Sequence, residues 1–221
     1  MSVVSVKTLV PKSWFEEWHE PRSFFSATSN CMEQFEADEI LRMPNVQYLF
    51  DAYVVGLFAR IWNDHNVCTV RLLPGDFPDA EISDREGKYP IEITLADRAN
   101  RRMAEEHRLW REQRQRGEPS WRPINREQDR EYALEAIPRA CRNKVEKYLG
   151  SPHSDRAVPV ALLLYVNFST ILGPVLTDQE MADLTAPWKG NFTAIWLLCG
   201  AIAFRPWPTP SAMSAVSDPL A

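Results

Sequence analysis

Apolar residues along the chain fall into a series of periodic runs whose spacing predicts the order of elements. Between Pro44 and Asn63, the residues Val46, Leu49, Phe50, Tyr53, Val54, Leu57, Phe58 and Ile61 recur every three to four positions. This predicts a helix with a wide apolar stripe, and Pro44 suits its first turn. Val67 to Leu73 (VCTVRLL) is rich in β-branched residues and ends at Pro74-Gly75, the mark of a strand and its break. Ala80 to Ser83 and Tyr89 to Leu95 read as two further strands, joined by the turn formers Asp84-Arg85-Glu86-Gly87-Lys88. Three successive strands with short connections pair as a meander.

The second half changes period. From Arg98 to Arg116 there is no strand pattern, and a charged helix is expected to run into a loop around Gly117-Glu118-Pro119. A second amphipathic helix runs from Asn125 or Asp129 to Gly150, with Leu134, Ile137, Cys141, Val145 and Tyr148 on its apolar face. Pro138 either kinks that helix or starts it. Val158 to Phe168 is apolar nearly throughout, as a strand covered on both faces of a partly parallel sheet would be. Thr177 to Leu184 opens with a capping box of Thr177 and Glu180. Phe192 to Leu198 and Ala201 to Trp207 supply one or two closing strands around Gly200.

Three regions follow. Residues 1–35, with Trp14, Phe15, Trp18, Phe24 and Phe25, read as an arm that packs aromatics onto the core. Residues 36–207 form one α/β domain, and residues 208–221, rich in Pro, Ser and Ala, read as a disordered tail. A chain of 221 residues is long enough for one well-packed core. Its net charge of −5 argues against a wholly basic nucleic-acid binder and leaves room for a local basic patch. The longest apolar runs, Ala157 to Phe168 and Phe192 to Phe204, are too short to span a bilayer, so no membrane partner is expected. The opening MSVVSVKTLVPKSWF lacks the pattern of a secretion signal, and Cys31, Cys68, Cys141 and Cys199 are scattered with no Cys-x-x-Cys. A cytoplasmic protein in a reducing environment is the expectation.

The chemistry concentrates between Asp76 and Asp97. In the second hairpin strand Ile91, Ile93 and Leu95 share one face while Glu92 and Thr94 share the other. A carboxylate in the middle of a core-like strand is costly unless a cation, a partner or solvent meets it. Asp79 stands thirteen positions earlier, at the open end of the same hairpin, where a small register offset would bring the two carboxylates together. Two such groups with a backbone carbonyl suit a hard ion such as Mg²⁺, which takes oxygen ligands and keeps several waters. A strand Glu on a solvated face and a Pro-Asp turn opener are the plainer alternatives.

Pro78-Asp79 followed by Glu92-Ile93-Thr94 resembles the motif of the PD-(D/E)XK nuclease-like superfamily. The order helix, three strands, helix, strand is similar to that fold's αβββαβ core, a mixed central sheet flanked by helices, and the resemblance spans residues 36–207. It implies that Asp79, Glu92 and the Ile93 carbonyl hold Mg²⁺. The motif lysine is Thr94 here. Some families of this kind take the lysine from the following helix, so the resemblance points to Lys144 first and Lys147 second. The helix before the hairpin sometimes donates a further acidic group there, which makes Asp51 and Glu39 candidates, although a solvated flank accounts for each.

The segment after the hairpin carries Arg98, Arg101, Arg102, Arg108, Arg111, Arg114 and Arg116 against Glu105, Glu106 and Glu112. Arginines beside an acidic site could meet phosphates, or could simply be solvated and salt-bridged. The expected activity is metal-dependent hydrolysis of phosphodiester bonds, with Asp79, Glu92 and Lys144 catalytic. Arg98, Arg101, Arg102 and Lys147 would lie on the nucleic acid, DNA ahead of RNA. The competing expectation is a nuclease-like fold that binds nucleic acid or protein without cutting, and a weaker one is an aromatic N-terminal interface.

Overall fold

A computed structural model describes residues 9–75, 77–99, 102–118, 125–150, 158–166, 175–200, 202–207 and 211–214. The chain enters through α1 (Lys12–Phe15), α2 (Pro21–Met32), α3 (Ala37–Arg42) and α4 (Tyr48–Asn63). Pro21 at the first helical position of α2 follows Glu20, whose carboxylate caps the helix by accepting from Ser23 N at 2.9 Å. Glu36 and Glu39 form a capping box around α3. The apolar stripe that begins at Val46 becomes α-helical at Tyr48, because Met43 to Phe50 first turns through bonds spanning three residues, such as Leu49 N to Val46 O.

Three strands follow, β1 (Cys68–Leu72), β2 (Ala80–Asp84) and β3 (Lys88–Ala96), paired antiparallel as the alternation predicts. After the charged helix α5 (Met103–Gln115), the long α6 (Arg126–Leu149) carries the chain back so that β4 (Val158–Val166) lies parallel to β3. Pro138 sits inside α6 without ending it, and Gly150 stops it with φ +72, a conformation that other residues adopt at a cost. After α7 (Asp178–Thr185), with its Thr177 and Glu180 capping box, and a short 3₁₀ turn (Ala186–Trp188), β5 (Phe192–Cys199) joins parallel to β4. The antiparallel β6 (Ile202–Trp207) and β7 (Ser211–Ser214) complete a mixed seven-stranded sheet in chain order. Part of the tail read as disordered is thus a strand, because the outer edge of β6 supplies the backbone partners that its Ser-rich sequence does not advertise.

The strand side chains alternate between two cores. Ile82, Ile91, Ile93, Leu163 and Leu198 pack under α2 and α4, while Leu162, Leu164, Ile195, Leu197 and Phe204 pack under α6 and α7. The mixed sheet is therefore an open layer flanked by helices on both faces. The N-terminal aromatics are part of the first core: Phe15 and Phe24 are fully buried, and a Cβ on Gly56 of α4 would come within 3.1 Å of Phe24. Backbone bonds between His19 and Val70 tie this region to the free edge of β1. His19 is half-buried there, its ring stacked on Trp14 with centroids 3.6 Å apart. Trp62 donates to Asp84 Oδ2 at 3.1 Å, which fixes the end of α4 over the hairpin turn. No described helix is long and apolar enough to cross a membrane.

Leu163 is fully buried at the middle of the sheet, opposite Ile93 on one side and Trp196 on the other. Leu163→Ala is expected to cost about 2–5 kcal/mol, read as a lower urea midpoint at unchanged slope.

Candidate functional site

The second hairpin strand outlasts its partner. β2 pairs with β3 only from Lys88 to Ile91, whereas β4 follows β3 from Ile91 to Ala96. Beyond Ile91 the β2 side of β3 has lost its ladder, and a side chain takes over: Asp79, just before β2, accepts from Ile93 N at 2.7 Å. The N–H and C=O of one strand residue point to the same side, so the Ile93 carbonyl faces the same gap.

Glu92 projects to the α6 face and is 1% exposed. Its Oε1 accepts from two donors one turn apart on α6, the Lys144 ammonium and the Tyr148 hydroxyl. Its other oxygen, Oε2, is buried and has no hydrogen-bond partner among the described residues. A buried carboxylate oxygen left in this way costs free energy, and it is a ready ligand for a cation. Tyr148 is wedged in place by Phe77, whose ring centroid lies 4.3 Å from its own. Lys147 is exposed, with its Nζ 4.9 Å from the Tyr148 ring centroid.

The electrostatics of the pocket are those of crowded acids. Burial, and then the charge of Glu92, push Asp79 above the ordinary carboxylate range; the Ile93 amide and the Lys144 and Lys147 ammoniums pull it back. Asp51 of α4 belongs to the same field. Burial first and the Asp79 charge second raise it to about 7, with Lys144 opposing and Glu92 adding to the rise. Asp51 is therefore half-buried beside the acidic pair and is not a solvated flank. Burial and the bond to Glu92 also raise the Tyr148 phenol. Glu39 has a different role, accepting from Glu36 N at 2.8 Å within the α3 cap.

Among the described residues no three His, Cys, Asp or Glu side chains form a metal-binding group. A cation here would rest on two carboxylates, a carbonyl and water, a donor set that suits Mg²⁺. The unpartnered Glu92 Oε2 is the observation that fits such an ion.

The arginine segment looks different folded than counted along the chain. Arg98 bonds Glu106 at 2.8 Å, Arg102 bonds Glu105 at 3.1 Å, and Arg108 meets Glu112 at 3.4 Å. Arg111 reaches Asp38 at 3.0 Å, Arg114 reaches Glu36 at 3.4 Å, and Arg116 holds Glu118 at 2.8 Å. The local positive surplus is thus matched by carboxylates from α3 and the loop after α5. Arg98 and Arg102 line a cleft of about 440 Å³ with Leu109 and Tyr132, and Arg101 lies outside the described residues.

Of the residues singled out in the sequence, the fold brings Asp79, Glu92, Ile93, Lys144 and Asp51 to one place. It sets Arg98 and Arg102 in a separate cleft. Tyr148 and Phe77 were missed as site residues; Tyr148 reads as one more apolar position of a helix stripe. No family model, curated protein or solved structure matches the chain.

The crowded acids predict a pH dependence of stability. Asp51 holds its proton in the folded chain up to about pH 7, and the unfolded chain releases it near pH 4. Between those values the folded state binds more protons, so this contribution falls as pH rises and is lost above the folded pKa. Asp51→Asn is expected to raise the urea midpoint of the metal-free protein at pH 8 and to leave it nearly unchanged at pH 4.

Proposed function

We propose that the chain is a Mg²⁺-dependent phosphodiesterase of the PD-(D/E)XK type, acting on DNA ahead of RNA. The observation that carries this reading is the buried Glu92, with Oε1 held by Lys144 and Tyr148, Oε2 unpartnered among the described residues, and its charge felt by Asp79. The succession of three antiparallel strands, a long helix and a parallel strand supports the fold half of the reading.

In this reading Asp79, Glu92 and the Ile93 carbonyl hold the ion. When bound, it lowers the pKa of water and stabilises charge on a phosphoryl oxygen. The residues of the chain do the rest. The Ile93 amide fixes one Asp79 oxygen and leaves the other to the site. Lys144 and Tyr148 hold one oxygen of Glu92 and leave the other for the ion, and Lys144 screens negative charge as it builds on the phosphate. Asp51, half-buried in the same acidic field, adds a third carboxyl to the surroundings of the ion. Lys147, exposed beside Tyr148, offers a cation to a neighbouring phosphate. Arg98 and Arg102 reach phosphate by exchanging their glutamate partners.

Thr94 in place of the motif lysine and the net charge of −5 favour a second reading, a nuclease-like module that binds nucleic acid or protein without cutting.

Asp79→Ala and Glu92→Ala are each expected to abolish Mg²⁺-dependent cleavage and to remove the calorimetric signal of Mg²⁺ or Mn²⁺ binding. Lys144→Ala is expected to keep ion binding while slowing cleavage roughly 10²–10³-fold. Undiminished cleavage by both acid variants would rule the mechanism out, and ion binding with no cleavage by the parent chain would favour the second reading.

A further inference from the structure

Phe77 is the one aromatic among the large apolar side chains exposed on the described residues, at 38%. It lies two residues before Asp79, so it sits at the lip of the acidic pocket. Its ring is backed by Tyr148 at 4.3 Å between centroids, with the planes at 41°. Tyr148 is in turn anchored, since its hydroxyl donates to the buried Glu92. An exposed aromatic normally loses conformational freedom when it takes a partner, but this one is already held. Cations flank the supporting ring, with Lys147 Nζ 4.9 Å and Lys144 Nζ 5.9 Å from the Tyr148 ring centroid.

An exposed ring held on a second ring that carries ammonium groups beside it, next to a pocket for a scissile phosphate, matches the repeating chemistry of a nucleotide strand: a flat base and a phosphate at short spacing. We infer that Phe77, supported by Tyr148, is a stacking platform for an unpaired base, so that the substrate is a single-stranded or frayed nucleic acid. This rests on the phosphodiesterase reading for what happens at the phosphate. It adds that the strand must be unpaired, because bases inside a duplex already stack on one another and offer a side chain only their edges. Lys147 sits on the same lip to meet the backbone phosphate that follows the stacked base.

The test separates binding from cutting. Binding of the full chain to a fluorescent single-stranded oligonucleotide containing 2-aminopurine, and to the matching blunt duplex, is measured in EDTA; cleavage of each is measured separately with Mg²⁺. The expected results are tighter binding to the single strand, quenching of the 2-aminopurine, and a loss of roughly 5- to 100-fold in single-strand affinity for Phe77→Ala. Phe77→Trp is expected to restore affinity and quenching, and circular dichroism melts report whether either variant is folded. Equal affinity for both substrates, affinity unaffected in folded Phe77→Ala, or no binding at all would overturn the platform. Binding of an apolar peptide in place of the oligonucleotide would overturn it too. A chain that shows the Phe77 effect but never cuts keeps the platform and loses the hydrolytic reading, whereas one that cuts duplex regardless of Phe77 does the reverse.

Discussion

The arrangement of the site depends on one buried carboxylate. Glu92 lies on a central strand, almost wholly removed from water, where an isolated charge would be prohibitively expensive. Two donors on one face of α6 make it tolerable, and they occupy the same oxygen. That division leaves the second oxygen without a partner, which is a cost to the fold and an opportunity for a ligand. The elements around it follow: α6 must cross behind β3 in one register, and the parallel β3–β4 pairing with α6 between its strands holds it there.

The acids approach this point from different layers. Asp51 comes from the helical layer on one face of the sheet, Lys144 and Tyr148 from the layer on the other, and Asp79 from just before the start of β2, between them. They can meet because β2 stops pairing at Ile91 and leaves the upper half of β3 uncovered on that side. A gap in a ladder normally leaves unpaired backbone, but here a carboxylate satisfies Ile93 N and joins the pocket at the same time.

Much of the framework was legible in the residues. The helix over the Val46 to Ile61 stripe, the three-strand meander, the continuous apolar strand at Val158 and the capping box at Thr177 rest on local period and local chemistry, which tertiary packing did not override. Lys144 was reached through a family resemblance, with its place on the buried side of α6 in support. Other features resisted because they depend on distant partners. The arginine segment looked cationic because Asp38 and Glu36 are more than seventy positions away in sequence. Asp51 looked like a flank because nothing along the chain shows which carboxylates will face it. Tyr148 was hidden in plain view, since a tyrosine in a helix stripe is apolar to a periodicity argument and a hydrogen-bond donor only once its neighbour is known.

The ammonium that meets Glu92 comes from a helix, whereas the strand itself carries the uncharged Thr94 two positions on. Strand positions are held by ladders on both sides, whereas a helix can shift along and about its own axis. A slip of α6 by a single residue would advance it by about 1.5 Å and turn it by about 100°. That would carry Lys144 and Tyr148 away from Glu92 together and leave a naked anion inside the protein.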